Sequence, residues 1–204
     1  MTRIASVLVA LLLSALPLQA ATITFTATLT GPDEEPPNAS PGTGTAIVEI
    51  DDIAHYLFVQ ASFSGLLGPT TAAHIHVING PGDANPADTS GPVATMVPSF
   101  LGFPLGVTAG NFSDFYDTTM TSTYRPQFLT ASGGTTQLAE DELFTALMEG
   151  RAYLNIHSTQ FPGGEIRGFL QAAPAAVPEP TSMLLLGSGL VAAELRRRRK
   201  ASSR

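Results

Sequence analysis

Cysteine is absent from the 204 residues. No disulfide can brace this chain, and no thiolate can serve as nucleophile or metal ligand. Positive charge is almost as scarce away from the two ends. Between residues 21 and 173 the only bases are Arg125, Arg151 and Arg167, facing fifteen acids, a net of −12 against −7 for the whole chain. Such a surface repels nucleic acid and anionic lipid and favours solubility. The usual catalytic signatures are missing as well. Ser158 sits in no Gly-x-Ser-x-Gly elbow, and no phosphate-cradling glycine loop precedes a helix. Asp33, Glu34 and Glu35 lie in a proline-rich loop and read as solvated charge rather than a glycosidase pair. No internal repeat has a clear period.

The ends are strongly patterned. MTRIASVLVALLLSALPLQA carries one charge, Arg3, then an apolar run from Ile4 to Leu16 and small residues at Ala20 and Ala21. That is the layout of a secretory signal peptide (1–20), cut after Ala20, with a run too short for a comfortable membrane anchor. At the other end, PAAVPEP (174–180) is a stiff spacer, followed by an apolar stretch from Met183 to Ala193 and a basic cluster at 196–200. An apolar segment closed by arginines is held with those arginines on the cytoplasmic side. The order Pro178-Glu179-Pro180, apolar helix, Arg196-Arg197-Arg198-Arg199 resembles the PEP-CTERM sorting signal of Gram-negative bacteria. The resemblance implies export, transient anchoring in the inner membrane by the C-terminal helix, and recognition and cleavage near the Pro-Glu-Pro triplet by an exosortase. Delivery to the cell surface or extracellular matrix follows from it.

The remaining residues, 21–173, are enough for one domain with a real core. ITFTATL (23–29), TGTAIVEI (43–50) and HYLFVQASF (55–63) read as strands, with Asp51-Asp52 in a hairpin connection and His55 as a strand-end residue. TAAHIHVI (71–78) is a strand, and NGPGDANPADTSGP (79–92) a loop. Within 93–130 the candidate strands are PVATMVPSF (92–100) and FSDFYDTTM (112–120). One helix stands out in TTQLAEDELFTALMEG, with Thr135 or Thr136 as cap, Leu138, Phe144, Leu147 and Met148 on one face, and Gly150 as stop. Strands resume at 151–158 and 165–171 around an FPGG turn. Many short strands and a single short helix predict a mainly β fold, an antiparallel sandwich or barrel.

Alternation then assigns faces. His74 and His76 oppose Ala73, Ile75 and Val77. Tyr153, Asn155 and His157 oppose Ala152, Leu154 and Ile156. Glu165 and Arg167 oppose Ile166. If the strand bearing His74 joins the hairpin of the other two, these polar faces coincide. AHIHVINGPG and YLNIHSTQFPGGEIRGFL resemble the CHRD domain, named for its occurrence in chordin, over about residues 22–171. The resemblance implies an immunoglobulin-like β structure and little chemistry.

Three readings apply to the shared face. His74, His76 and His157 supply three imidazoles, a set suited to zinc or copper, with Glu165 as a fourth ligand or as a partner behind them. His-x-His with a distant histidine also resembles the copper half of a Cu/Zn superoxide dismutase. The zinc-loop histidines of that family have no counterpart in 79–92, where only Asp83 and Asp88 stand. In the second reading the same residues, with Asn155 and Arg167 supporting, brace the glycine-rich loop without any cofactor. In the third they recognise a sugar or peptide. The sequence therefore predicts an exported, non-catalytic structural or interaction module that meets export machinery, a sorting enzyme and extracellular polysaccharide or surface proteins. Its main rival is a metal-binding protein.

Overall fold

The computed structural model describes residues 22–84 and 89–174. The predicted signal peptide, the sorting residues Pro178, Glu179, Pro180 and Arg196 to Arg199, the C-terminal apolar helix, and Asp88 lie outside the described residues. A compact unit ends at Ala172, and a second begins at Ala173. Among the described residues, no helix is long and apolar enough to cross a membrane.

Eight strands build the compact unit: β1 (Ile23–Thr30), β2 (Thr43–Asp51), β3 (Tyr56–Ser64), β4 (Thr70–Val77), β5 (Gly110–Asp117), β6 (Ala152–Ser158), β7 (Ile166–Phe169) and β8 (Gln171–Ala172). Among the described residues they join one antiparallel sheet in the order β4-β6-β7-β1-β2-β3-β5, with β8 also on β1. The sheet curls into a half-barrel, so of the two predicted architectures it stands on the barrel side. Alternation explains the curl's inside. Phe25 and Leu29 of β1 and Val48 and Ile50 of β2 enter the core, while Thr26 and Thr28 face water. Ile75, Leu154, Ile156, Ile166 and Leu170 join the same fully buried cluster. Gly168 lets β7 close on β1, since a Cβ there would sit 2.1 Å from the Thr28 carbonyl oxygen.

The stretch 92–100 does not form a regular strand. It runs beside β4, where the amides of Val77 and Ala94 bond the carbonyls of Pro92 and Ile75. The β4 amides of Ile75 and Ala73 donate instead to the hydroxyls of Thr95 and Ser99, each at 3.0 Å. Here side-chain hydroxyl oxygens, in place of backbone carbonyls, accept from the β4 amides and complete that border.

The helical region also differs in two respects. A short α1 (Pro126–Ala131), with proline at its start, precedes the expected helix, α2 (Thr136–Met148). In α2 the Thr135 side chain caps the Leu138 amide, and Gly150 follows the helix with φ at +70°. The buried face, however, is Ala139, Leu143, Ala146 and Leu147 with Phe144, while Leu138 is 47% and Met148 56% exposed. Residues 139, 143, 146 and 147 form an unbroken stripe at i, i+4, i+7 and i+8, and its two alanines allow close approach. That stripe outcompetes the one drawn through Leu138 and Met148.

Candidate functional site

The strand bearing His74 does join the hairpin. In the β4–β6 register His74 pairs with Asn155, His76 with Tyr153, and Ala72 with His157, while Asn155 pairs with Arg167 on β7. The apolar sides of these strands fill the core. Their polar side is buried too: His74 is 6% and His76 9% exposed, with His157 intermediate. Loops folded over the sheet provide the cover, and each supplies a carbonyl to one ring.

Those carbonyls determine the protonation pattern. His74 Nε2 lies 2.8 Å from the Pro98 carbonyl oxygen, His76 Nδ1 2.8 Å from that of Gly91, and His157 Nδ1 2.9 Å from that of Pro162. A carbonyl only accepts, so each facing nitrogen carries the proton. The other nitrogen of each neutral ring, His74 Nδ1, His76 Nε2 and His157 Nε2, is left with a bare lone pair. His74 Nδ1 and His157 Nε2 approach to 3.3 Å, and no proton lies between them when both rings are neutral. His76 Nε2 is buried without a hydrogen-bond partner. One nitrogen from each of the three rings lies within 4.8 Å of the others.

Burial keeps these rings neutral. It lowers the pKa of His74 to about 4, helped by His157 and Arg125, and that of His76 to about 3; it lowers that of His157 as well. Three lone pairs converging from rings whose other nitrogen is tied to a carbonyl fit a transition metal. Metal-bound histidines are oriented by such outer bonds, and neutral imidazole is the ligating form. Nitrogens about 2.0 Å from a common ion stand about 3.3 Å apart in a tetrahedral arrangement, which the His74–His157 pair meets. When bound, such an ion would be held by His74, His76 and His157 and would act as a Lewis acid or an electron carrier.

Behind His76, the Tyr153 ring stacks at 4.8 Å between centroids, and the Arg167 guanidinium lies 4.8 Å over that ring's centroid. Arg167 donates to the Asp33 carbonyl and, at 2.9 and 3.0 Å, to the carbonyl and hydroxyl oxygens of Thr89. Thr89 is two residues from Gly91, whose carbonyl orients His76. Arg167 therefore steadies the loop that fixes this imidazole.

Glu165 is fully buried but turned to other work. Its carboxylate accepts from the Ser40 hydroxyl at 2.6 Å and from the amides of Leu67 at 2.5 Å and Gly68 at 3.4 Å. Burial pushes its pKa up, yet hydrogen bonds from Ser158, Ser40, Leu67 and Gly68 outweigh this and leave it lowered. The fold does not bring Glu165 into the histidine cluster. Asn155 does lie beside it, opposite His74, with Oδ1 buried and lacking a partner.

Two other acidic and basic groups differ from expectation. Glu34 is not solvated charge: it is 4% exposed, packed on Gly164, with Oε2 3.9 Å from Arg167 Nε. Burial raises its pKa to about 7 against the pull of Arg167. His55 is more than a strand end, because its Nδ1 meets Glu140 on α2 at 2.9 Å. Residue types gave no warning of the carbonyls of Gly91, Pro98 and Pro162. Tyr153, alternating with Asn155 and His157, was the one readable sign of a partner for His76.

Searches among curated proteins and among solved structures found no match. Two family models do match. Residues 176–200 match the PEP-CTERM protein-sorting motif, which marks an exported protein anchored in the membrane and then sorted by an exosortase-type enzyme to the surface. Residues 25–170 match the CHRD domain. Neither description is that of an enzyme. A match across most of the chain, carrying both histidine-bearing segments, makes this protein a member of the CHRD domain family.

Proposed function

We propose that this exported, surface-directed domain is a non-catalytic module that captures a transition-metal ion through His74 Nδ1, His76 Nε2 and His157 Nε2. The observation that carries the reading is the orientation of the rings. Two buried imidazoles and one partly buried each give their N–H to a backbone carbonyl and bring their lone pairs together. Lone pairs face each other at 3.3 Å without a proton between them only where something else compensates. Cleavage near Pro178, Glu179 and Pro180 would release the domain from its anchor, among extracellular polysaccharide and surface proteins.

The test is metal content. The full chain, dialysed against trace copper and zinc, retains about one equivalent per chain, and His157→Ala loses it. A well-folded chain that retains nothing sinks this reading.

One observation favours a second role for the same residues. The three ring-to-carbonyl bonds also tie residues 91, 98 and 162 to the sheet, as bracing would require. Under bracing alone, hydrogen exchange in those loops rises in His157→Gln whether or not metal is present. Under metal capture, adding the ion to the native chain slows it.

A further inference from the structure

Metal capture by these histidines leaves the ion itself open. Resting on that reading, we infer that the ion is copper, and that the pocket favours monovalent copper over any divalent ion.

The first argument is charge. All three donors are neutral, and no aspartate or glutamate belongs to the cluster among the described residues. Glu165 spends its carboxylate on Ser40, Leu67 and Gly68. Glu34 is paired with Arg167, lies outside the cluster, and is itself held toward its neutral form by burial. The fixed charges that reach the cluster are cationic: Arg125 acts on His74, and Arg167 lies over the tyrosine stacked on His76. A divalent ion would keep both charges in a poorly solvated pocket with positive neighbours. A monovalent ion keeps one, and an uncompensated buried charge is costly.

The second argument is ligand number. The cluster offers three nitrogens and no fourth protein ligand among the described residues. A structural zinc ion asks for four ligands in a tetrahedral arrangement. Three donors suit a three-coordinate ion, which filled-shell monovalent copper accepts. The third argument is ligand preference. Without thiolate or carboxylate, an all-imidazole set gives copper the top of the affinity order even among divalent ions.

Anaerobic titration of the full chain decides the matter. Cu(I) is offered as its bicinchoninate complex, and Zn(II) and Cu(II) are titrated in parallel against chromophoric chelators. One Cu(I) per chain is expected, bound at least about 100-fold more tightly than Zn(II). X-ray absorption should report three nitrogen neighbours and no sulfur. His157→Asp supplies the missing negative charge and should narrow the preference for Cu(I) over Zn(II) at least about tenfold. Should that variant not fold, the wild-type competition and the absorption spectrum still decide. Zinc bound as tightly as Cu(I), or more so, overturns the copper assignment while leaving metal capture standing. A folded chain that holds none of the three ions overturns both.

Discussion

His157 and Glu165 come from the two arms of one hairpin, yet their surroundings differ in kind. Glu165 is fully buried and saturated, with a hydroxyl and two amides gathered onto its carboxylate. The histidine cluster is largely buried too, but each ring is only half used: one nitrogen is bonded to a carbonyl, while the second lone pair either faces another lone pair or, at His76, has no partner. A saturated buried group has nothing to offer a ligand, and its bonds join the loops at residues 40 and 67–68 to the sheet. A half-used group retains binding capacity that folding did not consume. Burial alone thus separates neither role; the state of the second lone pair does.

That contrast can be tested by substitution. Glu165→Ala should cost the most stability, about 4 kcal/mol by urea denaturation, because it takes the acceptor from the Ser40 hydroxyl, the buried Gly68 amide and the partly buried Leu67 amide. Metal affinity of the folded fraction should stay within about threefold. A stability loss below about 1 kcal/mol would erase the distinction between the two clusters.

Acid should weaken the histidine side. Burial holds the pKa of His74 down to about 4 and that of His76 to about 3, below the ordinary 6.5, so the unfolded chain binds more protons between those limits. Stability therefore falls as pH drops through that window, by about 1.4 kcal/mol per unit per ring. Glu34 works the other way between 4.5 and 7, because its raised pKa makes the folded chain bind the extra proton. With two rings against one carboxyl, the metal-free chain should lose about 3 kcal/mol from pH 6.5 to 4.5, seen as a shift in denaturant midpoint.

Smaller effects sharpen the same contrast. His76→Gln should lower metal affinity about 100-fold in a chelator competition while leaving the Glu165 cluster intact. Arg167→Gln, which frees Thr89 and so loosens the Gly91 carbonyl, should lower it about tenfold. Leu138→Gln on the exposed side of α2 should change stability by less than about 0.5 kcal/mol and leave metal affinity unchanged.

Period-2 patterning made β1 to β4 and the β6–β7 hairpin legible, along with the shared face of His74, His76 and His157. It could not reveal depth. Alternation distinguishes one side of a strand from the other, but whether the polar side meets water depends on loops, here those carrying Gly91, Pro98 and Pro162. The acceptors that orient the rings are backbone atoms, which residue types do not announce. Glu165 drew a ligand's role because it shares the face, yet its partners at Ser40, Leu67 and Gly68 are roughly a hundred residues distant in sequence. The stripe on α2 escapes the pattern for a related reason: it runs through Ala139 and Ala146, whose small size is what allows a helix to settle closely, rather than through the larger Leu138 and Met148.

The hydroxyls of Thr95 and Ser99 have a consequence at the scale of many molecules. Wherever copies of a protein meet, an open sheet border invites neighbours to add on as extra strands. Here one border has its amides capped by Thr95 and Ser99, and β5 at the other carries the exposed charges of Asp114 and Asp117. Crowded copies can thus stand side by side as separate bodies rather than polymerise.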